Sequence, residues 1–259
     1  MKTKTDITSV ERLKRIVDYV EIHEAITVPE IVSEFSISMT TARRDLDALA
    51  EQGKLQRVHG GAIALPKAPP EPPVLHRALE QAEEKQTIGR MAAELVQDGE
   101  TVFLGAGTTV LEAARHLCAR RNLTVITNSL LVVNALAEAQ DISLVTLGGL
   151  FRHSEKSFVG HITEKALADV RAAKVIMGVR AIDARQGLTD EFPSEAATNR
   201  AIMSIGQQVI IIADHTKFGR VAGAFIAPIS DIHVMVTDRN TPIDCIRAFE
   251  EQGIRVITE

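Results

Sequence analysis

At 259 residues and a net charge of −5, the chain is long enough to bury a sizeable core but carries no bulk positive charge to hold a polyanion. With no tryptophan, one tyrosine and 3% aromatics it lacks a stacking platform for single-stranded nucleic acid. Cys118 and Cys245, far apart in sequence, read as reduced thiols rather than a disulfide or a metal site, and no apolar run reaches the length of a membrane span.

The first elements form a tight group. Thr8-x-x-Glu11 is a capping box opening a helix on which Leu13, Ile16, Val17 and Val20 recur at helical spacing. A short second helix is expected from Pro29 to Phe35, with Ile31, Val32 and Phe35 facing inward. A third runs from the N-cap Ser38 to Gly53. On its wheel Met39, Ala42, Leu46, Leu49 and Ala50 share one face, Thr40, Thr41 and Arg44 lie opposite, and Arg43 sits on the flank. Leu55–Val58 and Ala62–Leu65 can then pair as a hairpin across Gly60-Gly61, with Arg57 and His59 on it.

Three helices and a wing describe a DNA reader whose third helix enters the major groove. Arginine can grip a guanine edge in bidentate fashion, threonine can touch bases or phosphate, and a helix N-terminus favours phosphate. The candidate DNA contacts are therefore Ser38, Thr40, Thr41, Arg43, Arg44, Arg57 and His59, and the partner is double-stranded operator DNA. Residues 1–66 hold nine Lys/Arg against ten Asp/Glu, so any electrostatic footprint is local.

Pro66-Lys67-Ala68-Pro69-Pro70-Glu71-Pro72-Pro73 cannot continue a helix or strand and reads as a stiff spacer, dividing the chain into a reader over 1–65, a linker over 66–73 and a second domain over 74–259. A long helix is expected from Leu75 to Gln97. Short apolar strands follow at Thr101–Leu104, Thr124–Thr127, Ser143–Leu147, Val175–Val179, Val209–Ala213, His233–Thr237 and Arg255–Ile257. Helical stretches lie between most of them, at Val110–Arg120, Leu130–Ala139, Thr163–Val170, Glu195–Ile205 and Ile243–Gln252. This is the pattern of a parallel α/β sheet covered on both faces.

In such sheets ligands bind beyond the carboxyl ends of the strands, and polar turns gather there. Gly105-Ala106-Gly107-Thr108-Thr109 follows the first strand and leads into a helix, a way of holding phosphate on free N–H groups without a lysine loop. Thr127-Asn128-Ser129 follows the second strand, Gly148-Gly149 with Arg152 the third, and Asp214-His215-Thr216-Lys217 a later one. His153, His161 and His215 have no metal spacing, so neither a metal nor another cofactor is expected.

Residues 11–64 resemble the N-terminal domain of the DeoR family of bacterial sugar-metabolism repressors. The carrying residues are Ile37-Ser38, Thr40-Thr41-Ala42-Arg43-Arg44-Asp45-Leu46, Gly53, Arg57 and His59-Gly60-Gly61-Ala62, with Ala42 where the family often has a larger aliphatic. The rest resembles that family's C-terminal sensor, similar in fold to ribose-5-phosphate isomerase and glucosamine-6-phosphate deaminase. Here the matching positions are Gly107-Thr108-Thr109, Thr127-Asn128-Ser129, Gly148-Gly149, Gly187-Leu188-Thr189, Glu195 and Asp214 with Lys217. The resemblance implies that Gly105, Gly107, Thr108 and Thr109 hold an effector's phosphate while Asn128, Glu195, Asp214 and Lys217 surround its sugar. Two positions depart: Gly105 stands where many members carry aspartate, and Arg180 where a small or acidic residue is usual.

The expectation is thus a winged helix-turn-helix joined to a parallel α/β sensor, acting as a repressor of a carbohydrate-use operon and released by a phosphorylated sugar. It would act in the cytoplasm, the polar N-terminus showing no signal-peptide pattern, and as a homo-oligomer, dimer or tetramer. The rival expectation is a sugar-phosphate isomerase or deaminase with an accessory reader, with Asp183, Glu195 or Asp214 as general base. The segment around Arg180 lacks the paired acidic signature of the isomerase, so no catalytic residue is assigned.

Overall fold

The computed structural model describes residues 8–65, 68–69 and 71–259, and the chain divides into two compact units, Met1–Pro66 and Lys67–Glu259. Of the expected linker, Pro66, Lys67 and Pro70 lie outside the described residues.

The first unit runs α1 (Ser9–His23), β1 (Ala25–Thr27), α2 (Val28–Phe35), α3 (Met39–Glu51), β2 (Gln56–Val58) and β3 (Gly61–Ile63). Thr8 accepts the Glu11 N–H at 3.3 Å, but the Glu11 carboxylate turns to Arg15 at 3.0 Å instead of reaching back to close the box. The complete capping box lies one helix later: Thr27 and Glu30 exchange side-chain-to-backbone bonds across the start of α2. Ile16, Val20, Ile31, Ala42, Leu46 and Leu49 close the core between the helices. Met39 does not join them; at the first turn of α3 it is 49% exposed, because the helix begins beyond the edge of the core. Arg12 on α1 reaches Asp45 on α3 through Nε at 2.7 Å, and Asp45 is buried.

β1 was not anticipated, and it changes the wing. The sheet has the order β1-β3-β2, antiparallel throughout, so β3 is its centre. The turn is His59-Gly60, with Gly60 at φ +83°, and Gly61 opens the strand instead of closing the turn. A Cβ on Gly61 would lie 2.2 Å from the Ile26 carbonyl oxygen, so glycine is what allows β1 to approach.

The second unit starts with α4 (Val74–Arg77) and α5 (Ala82–Glu94) in place of one long helix. The break falls at Gln81, whose φ of +49° is left-handed, and Lys85 secures it by donating to the Arg77 carbonyl at 2.6 Å and to the Glu80 carbonyl. Then follow β4 (Thr101–Leu104), α6 (Thr108–Leu117), β5 (Leu123–Thr127), α7 (Leu130–Leu136), β6 (Ile142–Thr146), β7 (Leu150–Arg152), β8 (Ser157–Val159) and α8 (His161–Ala168). The chain continues through β9 (Ala172–Gly178), β10 (Ala181–Asp183), β11 (Gly187–Asp190), α9 (Pro193–Ser204), β12 (Gly206–Ile212), β13 (Ala224–Ala227), β14 (Val234–Val236), α10 (Ile243–Glu250) and β15 (Arg255–Ile257).

The main sheet has the order β15-β14-β12-β9-β4-β5-β6 and is parallel throughout. Its central strands β4, β5, β9, β12 and β14 are largely buried on both faces, which is why they read as apolar runs, while the edge strands β6 and β15 are partly exposed. Phe103, Ile126, Val175, Met177 and Ile211 supply one core, while Val102, Leu104, Val125, Ile176 and Ile210 supply the other. From β4 the chain winds outward to β5 and β6, then returns to lay β9 on the opposite side of β4. The pair β4/β9 is therefore a topological switch point, where a crevice opens at the strands' carboxyl ends. The hairpin β7-β8 and the sheet β10-β11-β13 are additions that the sequence pattern did not reveal. Among the described residues no helix is long and apolar enough to cross a membrane.

Candidate functional site

In the first unit Thr40, Arg43, Arg44 and His59 are exposed, and among the described residues no carboxylate pairs with Arg43 or Arg44. Ser38 and Thr41 are engaged with each other. The Ser38 hydroxyl caps the Thr41 N–H at 3.1 Å, and the two hydroxyls lie 2.9 Å apart. Arg57 is also engaged: its Nε meets Asp47 of α3 at 2.8 Å, and it donates to the Gly61 carbonyl. Its charge is already answered within the unit, so its visible work is to hold the wing against α3.

The second unit holds a cavity of about 550 Å³ at the switch point. Its floor is the turn after β4. Gly107 takes φ +117°, a conformation that favours glycine, and stands at the N-cap of α6 with no side-chain cap. The first-turn N–H groups of Thr108, Thr109 and Val110 are thus left for whatever enters, together with the positive end of the helix dipole. Asn128 lines the same space; its Nδ2 donates to the Phe158 carbonyl at 2.8 Å and its buried Oδ1 has no partner.

Charged groups close the other walls. Arg152 stacks over the Phe192 ring at 4.4 Å and reaches Glu195 at 2.7 Å. Burial pushes the Glu195 carboxyl up to about 7, helped by the negative charge of Asp190 and opposed by Arg152. Asp214 turns inward to accept the Thr216 N–H at 3.0 Å, which fixes the short 3-10 turn that carries Lys217. Burial lowers the Lys217 ammonium to about 8 against the pull of Asp214, and burial likewise lowers the Arg180 guanidinium.

The cavity gathers Gly105, Gly107, Thr108, Thr109, Asn128, Arg152, Glu195, Asp214 and Lys217 of the predicted set. It does not gather Thr127, Ser129 or Gly149. The Thr127 hydroxyl donates to the Leu104 carbonyl at 2.7 Å and accepts the Ser129 N–H at 3.0 Å, and the Ser129 hydroxyl caps α7 at Val132. These two hydroxyls fasten the turn that presents Asn128. Gly149 packs against Thr163 and the Val159 carbonyl, with no room for a side chain. Sequence reasoning missed Glu71, Arg77, Lys85 and Asp190, which lie on the cavity wall. A lone acidic residue among prolines was the one signal for Glu71.

Residues 12–67 match the DeoR-like helix-turn-helix domain, and residues 80–239 match the DeoR C terminal sensor domain. The transcriptional repressor AccR of Agrobacterium fabrum is 35% identical over 232 residues, which cover 89% of this chain and 90% of that one. The chain belongs to the DeoR family. The glycerol-3-phosphate regulon repressor of Escherichia coli is 33% identical over 246 residues, covering 95% of this chain and 97% of its own. Among solved structures, ribose 5-phosphate isomerase A from Neisseria gonorrhoeae shows 19% identity and a TM-score of 0.40 over 53% of this chain and 54% of that one, a likeness that says nothing about activity. With repressors for relatives along nearly its whole length, this DeoR-family chain is a transcriptional regulator and not an isomerase or deaminase.

Proposed function

We propose that this DeoR-family regulator represses a carbohydrate-use operon by laying α3 in the major groove of its operator, and that a phosphorylated sugar in the cavity releases it. Thr40, Arg43 and Arg44 face the bases or the flanking phosphates. His59 on the wing meets the backbone, and Ser38, Thr41 and Arg57 keep helix and wing in position. The observation that carries the ligand half is the uncapped N-terminus of α6, with Thr108 and Thr109 beside it, at the switch point of a cavity whose other walls carry arginines and lysines paired with carboxylates. The name of the glycerol-3-phosphate regulon repressor supports a small phosphorylated ligand class. Screening phosphorylated sugars by thermal unfolding tests this half: a ligand at a hundred times its Kd adds about 2.7 kcal/mol of apparent stability. A phosphorylated panel that leaves the unfolding temperature unmoved contradicts the reading.

The cavity's titrations set a pH dependence for that binding. Glu195 is neutral below about 7 and anionic above it, and Lys217 is charged below about 8 and neutral above it. Both changes make the cavity less hospitable to an anion as pH rises. From pH 7 to 9 the ligand's own phosphate is already largely dianionic, its second pKa being about 6. Calorimetry over that range should therefore show affinity falling as pH rises, with the lower step removed in Glu195→Gln. A flat profile would separate these two groups from the ligand.

The acting form is at least a dimer, because one reader covers one half-site and two-fold related readers engage sites about 10 bp apart or multiples of that. Sedimentation at micromolar concentration, with and without operator, checks this. A monomer in both conditions rules it out.

A further inference from the structure

Glu71 belongs to the proline-rich segment through which the chain passes from one unit to the other, yet its carboxylate lines the cavity of the second. Its Oε2 meets Arg77 Nη1 at 2.7 Å and Arg180 Nη1 at 3.1 Å, while Oε1 accepts from Lys217 Nζ. The three cations come from separate elements: α4, the turn after β9, and the 3-10 turn after β12. Arg77 also meets Glu155, and Arg180 lies 3.7 Å from Glu191, but Glu71 is the carboxylate that all three cations share. A point where three cations converge suits an anion. The Arg180 side chain is only 7% exposed, and its Nε has no partner.

The described residues of the segment are held at a few points. The Ala68 N–H donates to the Val221 carbonyl at 3.0 Å and the Val74 N–H to the Ser154 carbonyl at 2.8 Å, while the Pro69 carbonyl accepts from Arg180 and the Pro72 carbonyl from Arg77 Nε at 3.0 Å. Pro69, Pro72 and Pro73 have no N–H to add. The Glu71 carboxylate is thus a main fastening of the segment, and it sits where a second anionic group of a ligand would sit. An anion entering beside it without displacing it would meet like charge.

We propose that Arg77, Arg180 and Lys217 form a second anion subsite whose resident occupant is Glu71, and that the ligand is a doubly anionic sugar derivative whose second carboxylate or phosphate takes Glu71's place and frees residues 68–73. The proposal rests on the sugar-phosphate reading of the same cavity, with the first phosphate at α6. It supplies a physical step between ligand and linker: one charge-for-charge exchange unfastens the segment that leads to the DNA reader.

The test uses three probes on the full chain at one salt concentration. Glucose 6-phosphate has a single anionic group, 6-phosphogluconate adds a carboxylate, and fructose 1,6-bisphosphate adds a second phosphate. Binding is measured by calorimetry for wild type and Glu71→Gln, and amide hydrogen exchange is followed over residues 68–77 of wild type. Removing the tethered competitor should tighten a doubly anionic probe by about tenfold or more and change glucose 6-phosphate little. On wild type the same doubly anionic probe should speed exchange at the Ala68 and Val74 amides while glucose 6-phosphate does not. Which of the two succeeds identifies carboxylate or phosphate. The exchange arm needs no variant, so it decides even if Glu71→Gln folds poorly. If glucose 6-phosphate binds and the doubly anionic probes behave no differently in either arm, the second subsite falls and the sugar-phosphate reading stands. Equal tightening of all three by Glu71→Gln, with exchange unchanged, shows a general charge effect and also overturns the proposal. If none of the three binds either protein, the sugar-phosphate reading falls and the subsite with it.

Discussion

Thr108→Ala and Lys217→Ala should each abolish release of DNA by the effector, and Thr108→Ala should leave affinity for the operator close to that of wild type. Thr108 stands at the first turn of α6 and Lys217 on the 3-10 turn across the cavity, and both belong to the second unit, remote in sequence from α3. Losing either removes contact to the ligand and, with it, the differential affinity by which a ligand shifts an equilibrium, typically about 1–3 kcal/mol of coupling. Effector titrations into the protein–DNA complex of each variant measure this. Release by both variants at wild-type effector concentrations would remove these residues from the ligand site.

Arg44→Ala should weaken operator binding by about 1–3 kcal/mol if the guanidinium reads a guanine. Arg44 is exposed on the face of α3 opposite Ala42, Leu46 and Leu49, and among the described residues no carboxylate competes for it. Asp45, its neighbour, is buried and committed to Arg12, so the Arg-Arg-Asp run separates into two outward cations and one inward anion. Binding to operator and to scrambled DNA at one salt concentration distinguishes the roles. Equal losses on both identify a phosphate contact, and unchanged affinity takes Arg44 out of the interface. Arg57→Ala differs in kind, because it also cuts the wing's tie to Asp47 of α3 and a bond within the wing to the Gly61 carbonyl.

Period and capping made the three helices and the parallel sheet legible in the sequence. Apolar runs such as Val209–Ala213 have few ways to be buried, and Ser38 stands as the N-cap of α3. What escaped was decided by single residues or by pairings between distant segments. Gln81 breaks a helix whose pattern runs on unbroken, because a lysine four residues later gathers the loose carbonyls. Three-residue strands such as β1 carry no period, and Gly61, legible as a turn residue, proves to be a strand residue only once β1 lies beside it. The cavity was legible as a set of polar turns, but a turn does not declare which of its hydroxyls look outward. In Thr127-Asn128-Ser129 the middle residue faces the cavity and its neighbours fasten the backbone. Glu71 could not be placed from the sequence, since its three partners lie as far as Lys217 along the chain.

The central claim is that one chain reads DNA and lets go when an anionic sugar fills the second unit. The direct measurement is fluorescence anisotropy of a complex between the full chain and a labelled duplex recovered by selection from a random pool. Phosphorylated sugars and their unphosphorylated counterparts are titrated in at constant salt. The account predicts that a phosphorylated sugar dissociates the complex and that its unphosphorylated counterpart does not. A complex that persists when calorimetry shows the cavity saturated with phosphorylated sugar, or that dissociates equally with both forms, would contradict it.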